Sequence, residues 1–331
     1  MADGANPSLA DIGEFAVIDR LVAGRPRHAG VRVGPGDDAA VVDAPDGRVV
    51  ITTDMLVEGR HFRLDWSSPH DVGRKAIAQN AADIEAMGAT PSAFVVAFGA
   101  APDTPAAAAQ ELADGMWHEA ALAGAGIVGG DLVASPQWVV SVTALGDLGG
   151  RAPVLRGGAR AGAVIAVAGD LGRSAAGLAL CRGGIEGRGA IEGREGIEGY
   201  GDLRDRHRVP RPPYGQGRIA ADAGAQAMTD VSDGLIADLG HMAAASGVVM
   251  DLDAAALRAD VDAVSAAAQA AGADPWDLVL AGGEDHALVA CFADGVPAGW
   301  RVIGCVRDGQ PAVLIDGTAR PGPGGWESFG R

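Results

Sequence analysis

The sequence predicts an α/β protein of two domains, and three observations carry that prediction. Apolar, β-branched segments alternate with Ala-rich segments of helical period, the pattern of strands covered by helices. The chain has 331 residues, enough for two domains of ordinary size. A stretch rich in glycine and arginine, 149–162, interrupts the alternation near the middle. It reads as a joint that divides the chain into residues 1–150 and 151–331.

In the first domain, 49–53 is apolar and β-branched and runs into Asp54, so a strand delivers a carboxylate at its C-terminal end. Residues 71–87 read as a helix with Ile77, Ala81, Ile84 and Gly88 on one face and Asn80, Asp83 and Met87 on an adjacent one. A strand over 93–98, an Ala-rich helix over 104–123, a short strand at Ile127-Val128 and a strand over 138–145 follow. The domain is α/β with some antiparallel neighbours. In the second domain, 164–168 is a strand and 174–181 a helix. Residues 183–201 carry Ile-Glu-Gly three times with arginines interspersed. That segment has no period that buries a face, so it is read as a flexible surface insertion, the functional alternative being a lid over an active site. A helix starts at Asp233 and runs to about Ala245. A strand over 248–252, a helix over 254–271 and strands over 287–292, 301–306 and 312–315 complete the chain.

Composition narrows the function. Apolar residues make up 48% and aromatics only 4%, so the core is built from Ala, Val, Leu and Ile. A net charge of −17 argues against nucleic-acid and anionic-membrane partners, which want a basic surface. Cys181, Cys291 and Cys305 form no metal-type pair and read as reduced core residues. Residues 1–9 lack the basic and apolar regions of a signal peptide, and no stretch reaches the roughly 20 apolar residues that span a membrane. The expectation is a soluble, cytoplasmic protein.

Six Asp-rich patches among small residues carry the chemistry: Gly36-Asp37-Asp38, Thr52-Thr53-Asp54, Asn80-Ala81-Ala82-Asp83, Gly129-Gly130-Asp131, Asp230-Val231-Ser232-Asp233-Gly234 and Gly282-Gly283-Glu284-Asp285. Hard oxygen donors suit Mg²⁺ or Ca²⁺ rather than zinc, and magnesium completes its shell with waters and substrate phosphates. The pattern points to a magnesium–nucleotide enzyme. Each patch also has a plainer reading. Gly-Asp pairs favour turns, Gly129-Gly130-Asp131 suits a hairpin or bulge, and Ser232 or Asp233 suits a helix N-cap. Asp83, among Ala and Ile, is costly unless paired. The one lysine, Lys75, has no Walker A loop around it, the protein-kinase set is missing, and the calcium-loop spacing is absent.

In order and spacing, these patches resemble the thiamine-monophosphate kinase family of the aminoimidazole ribonucleotide synthetase superfamily. The resemblance runs from about Gly13-Glu14-Phe15 to Trp326. It includes Glu58-Gly59-Arg60-His61-Phe62 after Asp54, and Ala86-Met87-Gly88-Ala89 after Asp83. It implies a two-domain aminoimidazole ribonucleotide synthetase-like fold, α/β or α+β, whose mixed-sheet N-terminal domain forms a homodimer. It implies ATP and several Mg²⁺ held by Asp38, Thr52, Thr53, Asp54, Asp83, Asp131, Asp230 and Asp233. Gly130, Asp131, Arg156 and Ser232 then contact ATP, and His61, Glu284 and Trp326 contact thiamine monophosphate. Departures are Ala82 where the family usually has Ser, and His286-Ala287 where it usually has Tyr-Glu. The rival superfamily members would need a reactive cysteine near one terminus, and this chain has none there. A non-catalytic metal or nucleotide-binding regulator is the alternative from another class; an ATPase and transfer assay separates the two.

Overall fold

The computed structural model describes residues 7–26, 28–33, 40–186, 200–321 and 324–326. The chain divides into two compact units, Met1–Ile84 with Thr90–Gly150, and Glu85–Ala89 with Arg151–Arg331. In the first unit, α1 (Leu9–Ile12) and α2 (Glu14–Val22) precede a two-stranded ribbon, β1 (Val31–Val33) and β2 (Val41–Val42). Then come β3 (Val50–Val57), α3 (Pro69–Ala86), β4 (Thr90–Ala100), α4 (Ala106–Leu122), β5 (Gly126–Ala134) and β6 (Val139–Asp147). The sheet order is β3-β6-β4-β5, with β4 and β5 parallel and the other pairs antiparallel.

The two faces of this sheet differ. Leu56, Phe94, Val96, Phe98, Val140 and Val142 are buried on one face, each full burial worth roughly 1.5–3 kcal/mol relative to exposure. The other face is apolar but largely open: Ile51, Met55, Val95 and Val133 are 64%, 52%, 37% and 54% exposed. The ribbon covers one end of it, where Val31, Ala93 and Val128 cluster with Val42 and Leu145.

The second unit contains β7 (Val164–Ala168), α5 (Arg173–Glu186), α6 (Gly201–Arg208), α7 (Gln216–Asp222), β8 (Ala227–Asp230), α8 (Leu235–Ser246), β9 (Val249–Leu252), α9 (Arg258–Ala271), α10 (Pro275–Ala281), β10 (Leu288–Phe292), β11 (Arg301–Arg307) and β12 (Ala312–Ile315). Its sheet order is β12-β9-β11-β7-β10-β8. Only the β12–β9 pair is parallel. Strand alternation buries both faces. Ile165, Val167, Val289 and Cys291 join the core under α5, α8, α9 and α10. Ala166, Ala168, Leu288, Ala290 and Phe292 join a second core with Met228, Ala220 and Trp300.

Carboxylates hold several helix N-termini, satisfying amides that have no partner within the helix. Asp274 accepts from Trp276 N at 2.8 Å, with Pro275 as the first residue of α10. Glu85, buried at the end of α3, accepts from Gly215 N and Gly217 N at 2.8 and 2.9 Å at the start of α7. Asp285 accepts from Gly172 N and Ser174 N at 2.5 and 2.9 Å at the start of α5.

Most expected elements are present with shifted ends. Asp54 lies inside β3 rather than at its end, because Met55-Leu56-Val57 continues the alternation and pairs with β6 through Val139. Gly129-Gly130-Asp131 lies inside β5, next to a register shift against β4. The helix expected over 254–271 begins only at Arg258, and α5 extends beyond Cys181 to Glu186. Of the insertion expected over 183–201, residues 187–199 lie outside the described residues.

Candidate active site

In the first unit, three predicted residues converge on the helix-covered side of the sheet. Thr52 and Asp54, two apart on β3, share a face. Thr52 Oγ1 donates to Asp83 Oδ2 on α3 at 2.7 Å. The amide of Asp54 donates to Asn80 Oδ1 at 2.9 Å, while Asn80 Nδ2 donates to Ala76 O at 2.9 Å. Asn80 is fully buried and ties the strand to the helix, one turn from Asp83. Its role was not legible beyond its place in the motif.

Strand register puts the other two residues elsewhere. Asp54, Val142, Val96 and Gly130 lie in one row, whereas Met55, Ser141, Ala97 and Asp131 lie in the next, on the opposite face. Asp131 is exposed there and accepts from Leu132 N at 3.0 Å. Thr53 is on that same face, pairs with Thr143 and donates to Val142 O at 2.9 Å. Within one copy of the unit, the side chains of Thr53 and Asp131 therefore do not join those of Asp54 and Asp83. Gly130 has no room for a side chain, since a Cβ would lie 2.0 Å from Val96 O.

His61 sits in a tight turn after β3. Its Nδ1 accepts from Val57 N at 3.0 Å, which puts the ring proton on Nε2. Lys75, buried on α3, donates to His61 O at 3.0 Å and braces that turn. Asp38 lies outside the described residues.

The second unit assembles its set at the C-terminal end of β8. Asp230 is 2% exposed, and Asp233 follows in the turn before α8. Burial first, and then Asp230, hold the Asp233 carboxyl above its usual range. Neither Ser232 nor Asp233 caps the helix. Asp238 in its first turn reaches back instead, and its Oδ2 accepts from the amides of Ser232, Asp233 and Gly234 at 3.0, 3.1 and 3.1 Å. Burial, with Asp230 and Asp233 nearby, pushes Asp238 up to about 7. This helix start, expected to favour anions, already holds a carboxylate of its own chain.

The Gly282–Asp285 turn closes over the same loop. Glu284 N donates to Ser232 O at 2.7 Å, and a Cβ on Gly283 would lie 2.5 Å from that carbonyl. Glu284 and His286 have φ of 64° and 53°, left-handed values uncommon outside glycine. Glu284 lies 3.3 Å from His207 Nδ1, and His286 Nδ1 lies 3.0 Å from Asp230 Oδ2. Trp326 N donates to Asp233 O at 2.9 Å, and Arg156 Nε donates to Thr229 Oγ1 at 3.2 Å. Sequence reasoning missed Asp238, His207 and Asp285's capping role. Only Asp238 carried a signal, an acid in the first turn of a helix.

Among the described residues, no three His, Cys, Asp or Glu side chains form a ready metal cage. Magnesium needs none, since it is held by one or two carboxylates plus waters and phosphates. Asp230 at the end of β8 and Asp233 in the turn that follows are oxygen donors of the kind that fits a hard cation.

The chain matches AIR synthase related protein, N-terminal domain, over residues 36–148 and the C-terminal domain of the same family over 160–309. It is 66% identical to thiamine-monophosphate kinase of Mycobacterium tuberculosis over 98% of this chain and 94% of that one. Its fold superposes on thiamine-monophosphate kinase from Stenotrophomonas maltophilia K279a with a TM-score of 0.77 at 32% identity, covering 93% of this chain and 98% of that one. It also superposes on AaThiL complexed with AMPPCP and TMP, with a TM-score of 0.75 at 28% identity over 98% and 100% of the two chains. Two family matches that span most of the chain, and a relative this similar from end to end, place it: the chain belongs to the AIR synthase related proteins and, within them, to the thiamine-monophosphate kinase family.

Proposed function

We propose that the chain transfers the γ-phosphoryl group of ATP to thiamine monophosphate, giving ADP and thiamine diphosphate. The observation that carries this is the end-to-end similarity to the M. tuberculosis kinase, which takes in every acidic patch described above. The likeness to AaThiL, whose complex holds AMPPCP and TMP, supports both substrates.

The acceptor supplies its own nucleophile. A phosphate monoester's second pKa is about 6, so its oxygen is largely ionised near neutrality and no general base is needed. The residues therefore align and neutralise, which is most of the work in phosphoryl transfer. Asp54 and Asp83 in the first unit, and Asp230 and Asp233 in the second, would each hold Mg²⁺, which when bound would neutralise phosphate charge. Asp38 and Thr52 extend the proposed ligand set, whereas Thr53 and Asp131, on the opposite face of the sheet, would join it only through a second copy of the chain. Gly130, Arg156 and Ser232 hold ATP, and Arg156 adds positive charge. Glu284 meets the thiazolium cation, Trp326 stacks on it, and His61 donates from Nε2. Residues 1–150 form the nucleotide–metal and dimerisation domain, and 151–331 the second domain.

The open face of the first sheet supports a homodimer. Ile51, Met55, Val95 and Val133 give it an apolar surface that a second copy would cover, bringing Thr53 and Asp131 into the interface. The cysteines are all free thiols, in keeping with a reducing, cytoplasmic compartment. Among the described residues, no helix is long and apolar enough to cross a membrane.

The test is an assay of ADP and thiamine diphosphate with thiamine monophosphate and with thiamine as acceptors. Turnover is expected with the monophosphate alone. Equal turnover of thiamine, which has no ionised phosphate, would sink the base-free mechanism, and no product from either would sink the kinase reading.

A further inference from the structure

We infer that His286 is a positioning residue for Asp230, holding one carboxylate oxygen so that the other is presented to the cation. The inference rests on the proposal that Asp230 is a magnesium ligand, and it adds what orients that ligand.

His286 Nδ1 lies 3.0 Å from Asp230 Oδ2. The histidine is 5% exposed and the aspartate 2%. An ionised carboxylate only accepts, so Nδ1 is the donor whichever protonation state the ring adopts. A neutral imidazole leaves the negative charge of Asp230 intact for a cation while fixing its rotation; a guanidinium in the same place would cancel it. Hydrogen bonds of this kind, from a buried partner to a metal-ligating carboxylate, commonly decide metal affinity.

The backbone is built to aim this side chain. His286 takes a left-handed conformation, φ 53°, between two backbone bonds. Its own amide donates to Val231 O at 2.8 Å, and the amide of Val231 donates to Ala287 O at 2.8 Å. Those bonds tie position 286 to the residue that follows Asp230. Position 286 is also where the chain departs from the family's usual Tyr-Glu.

Asparagine is the conservative replacement. Its Nδ2 stands the same number of bonds from the backbone as Nδ1 of histidine, and asparagine tolerates left-handed φ. The experiment uses full-length wild type, H286N, H286A and D230N. Each is checked for folding by its melting temperature and titrated with Mn²⁺ at fixed AMPPCP, free Mn²⁺ being read by electron paramagnetic resonance. Removal of such a partner costs about 10–100-fold in metal affinity. H286A is therefore expected to raise half-saturation by at least about 10-fold in the binding phase that D230N weakens, and H286N to return it to within about 3-fold of wild type. Folded H286A that binds Mn²⁺ like wild type, while D230N does not, overturns the role of His286 and leaves the metal reading standing. Folded H286N as weak as H286A overturns the hydrogen-bond account. D230N indistinguishable from wild type removes Asp230 as a ligand and the inference with it.

Discussion

The two units present acidic residues in opposite ways. In the first unit, Asp54 and Asp83 stand on regular elements, an edge strand of the sheet and an 18-residue helix, where the Asp54 amide donates to Asn80 and the neutral hydroxyl of Thr52 donates to the Asp83 carboxylate. In the second unit, Asp230, Asp233 and Glu284 stand at a strand end and in two turns. Those turns are held by further acids, Asp238 on three amides and Asp285 on two, and by two histidines. A cluster of aspartates is thus not one population. Some are the proposed ligand-binding groups, and others replace the hydrogen bonds that an irregular backbone would otherwise lose.

This contrast makes its largest forecast in the first unit. Asp54→Asn and Asp83→Asn each remove a charge on a scaffold that does not need it. Turnover is expected to fall by at least ~10², as when one preorganised electrostatic group is lost, with the melting temperature unchanged. Near wild-type rates in both variants at limiting Mg²⁺ would end the ligand assignment. Asp238 should behave in reverse. Asp238→Ala leaves three amides of a partly buried turn without their acceptor, so a loss of about 1–3 kcal/mol is expected, with Asp238→Asn less affected because it keeps an acceptor. Denaturant unfolding of both variants decides it, and equal stability of Asp238→Ala and wild type would show that the turn holds itself.

The same contrast explains what was legible in the sequence. Period and β-branching located β3, α3, β4 and, in the second unit, β7, β9, β10, β11 and β12, because those elements bury faces and a buried face leaves a pattern; the four-residue β8 that carries Asp230 was missed. Patch composition located the carboxylates. It did not reveal that Thr53 and Asp131 face away from Asp54, because facing depends on where a strand begins and ends, and the charge of Asp54 in mid-strand hid its continuation through Val57. Nor did it reveal Asp238 or Asp285 as caps. An aspartate that accepts amide protons from a segment over a hundred residues away, as Asp285 does from Gly172 and Ser174, has no local signature. The short elements α6, α7 and α10 were missed for a related reason: too few turns to establish a period.

A pH experiment sharpens the distinction within the second unit. Burial pushes Asp285 up to about 7 despite its two amide donors, whereas an unfolded aspartate titrates near 3.9. Between those values the folded chain holds more protons than the unfolded one. The contribution of Asp285 to stability is therefore complete below about 4 and is lost as pH rises toward and through about 7, with a slope of at most about 1.4 kcal/mol per pH unit. Asp285→Ala abolishes that slope, so its cost should be larger at pH 5 than at pH 8. Denaturant unfolding of both proteins at the two pH values is the measurement, and a cost that grows with pH would mean that the carboxylate is ionised and held by its amides.

The smallest effect is expected between α5 and α6. Tyr200 packs against the core of the second unit, so a shortened variant should keep everything through Glu186 and from Tyr200 onward and replace 187–199 by a few Gly and Ser residues. The replaced stretch is rich in glycine and charged residues and poor in large apolar ones. Stability is expected to stay within about 0.5 kcal/mol, as for surface changes generally, with turnover largely intact. Yet α6 carries His207, the partner of Glu284, and that makes the experiment discriminating. If the segment acts as a lid that excludes water from the transfer, its loss should let ATP be hydrolysed without thiamine diphosphate being made. If it merely joins two helices, ADP and thiamine diphosphate should appear in a ratio near one. If shortening instead pulls α6 out of place, the ratio stays near one while the KM for thiamine monophosphate rises, because the grip on Glu284 is what has been lost. Measuring both products across a range of thiamine monophosphate concentrations separates the three.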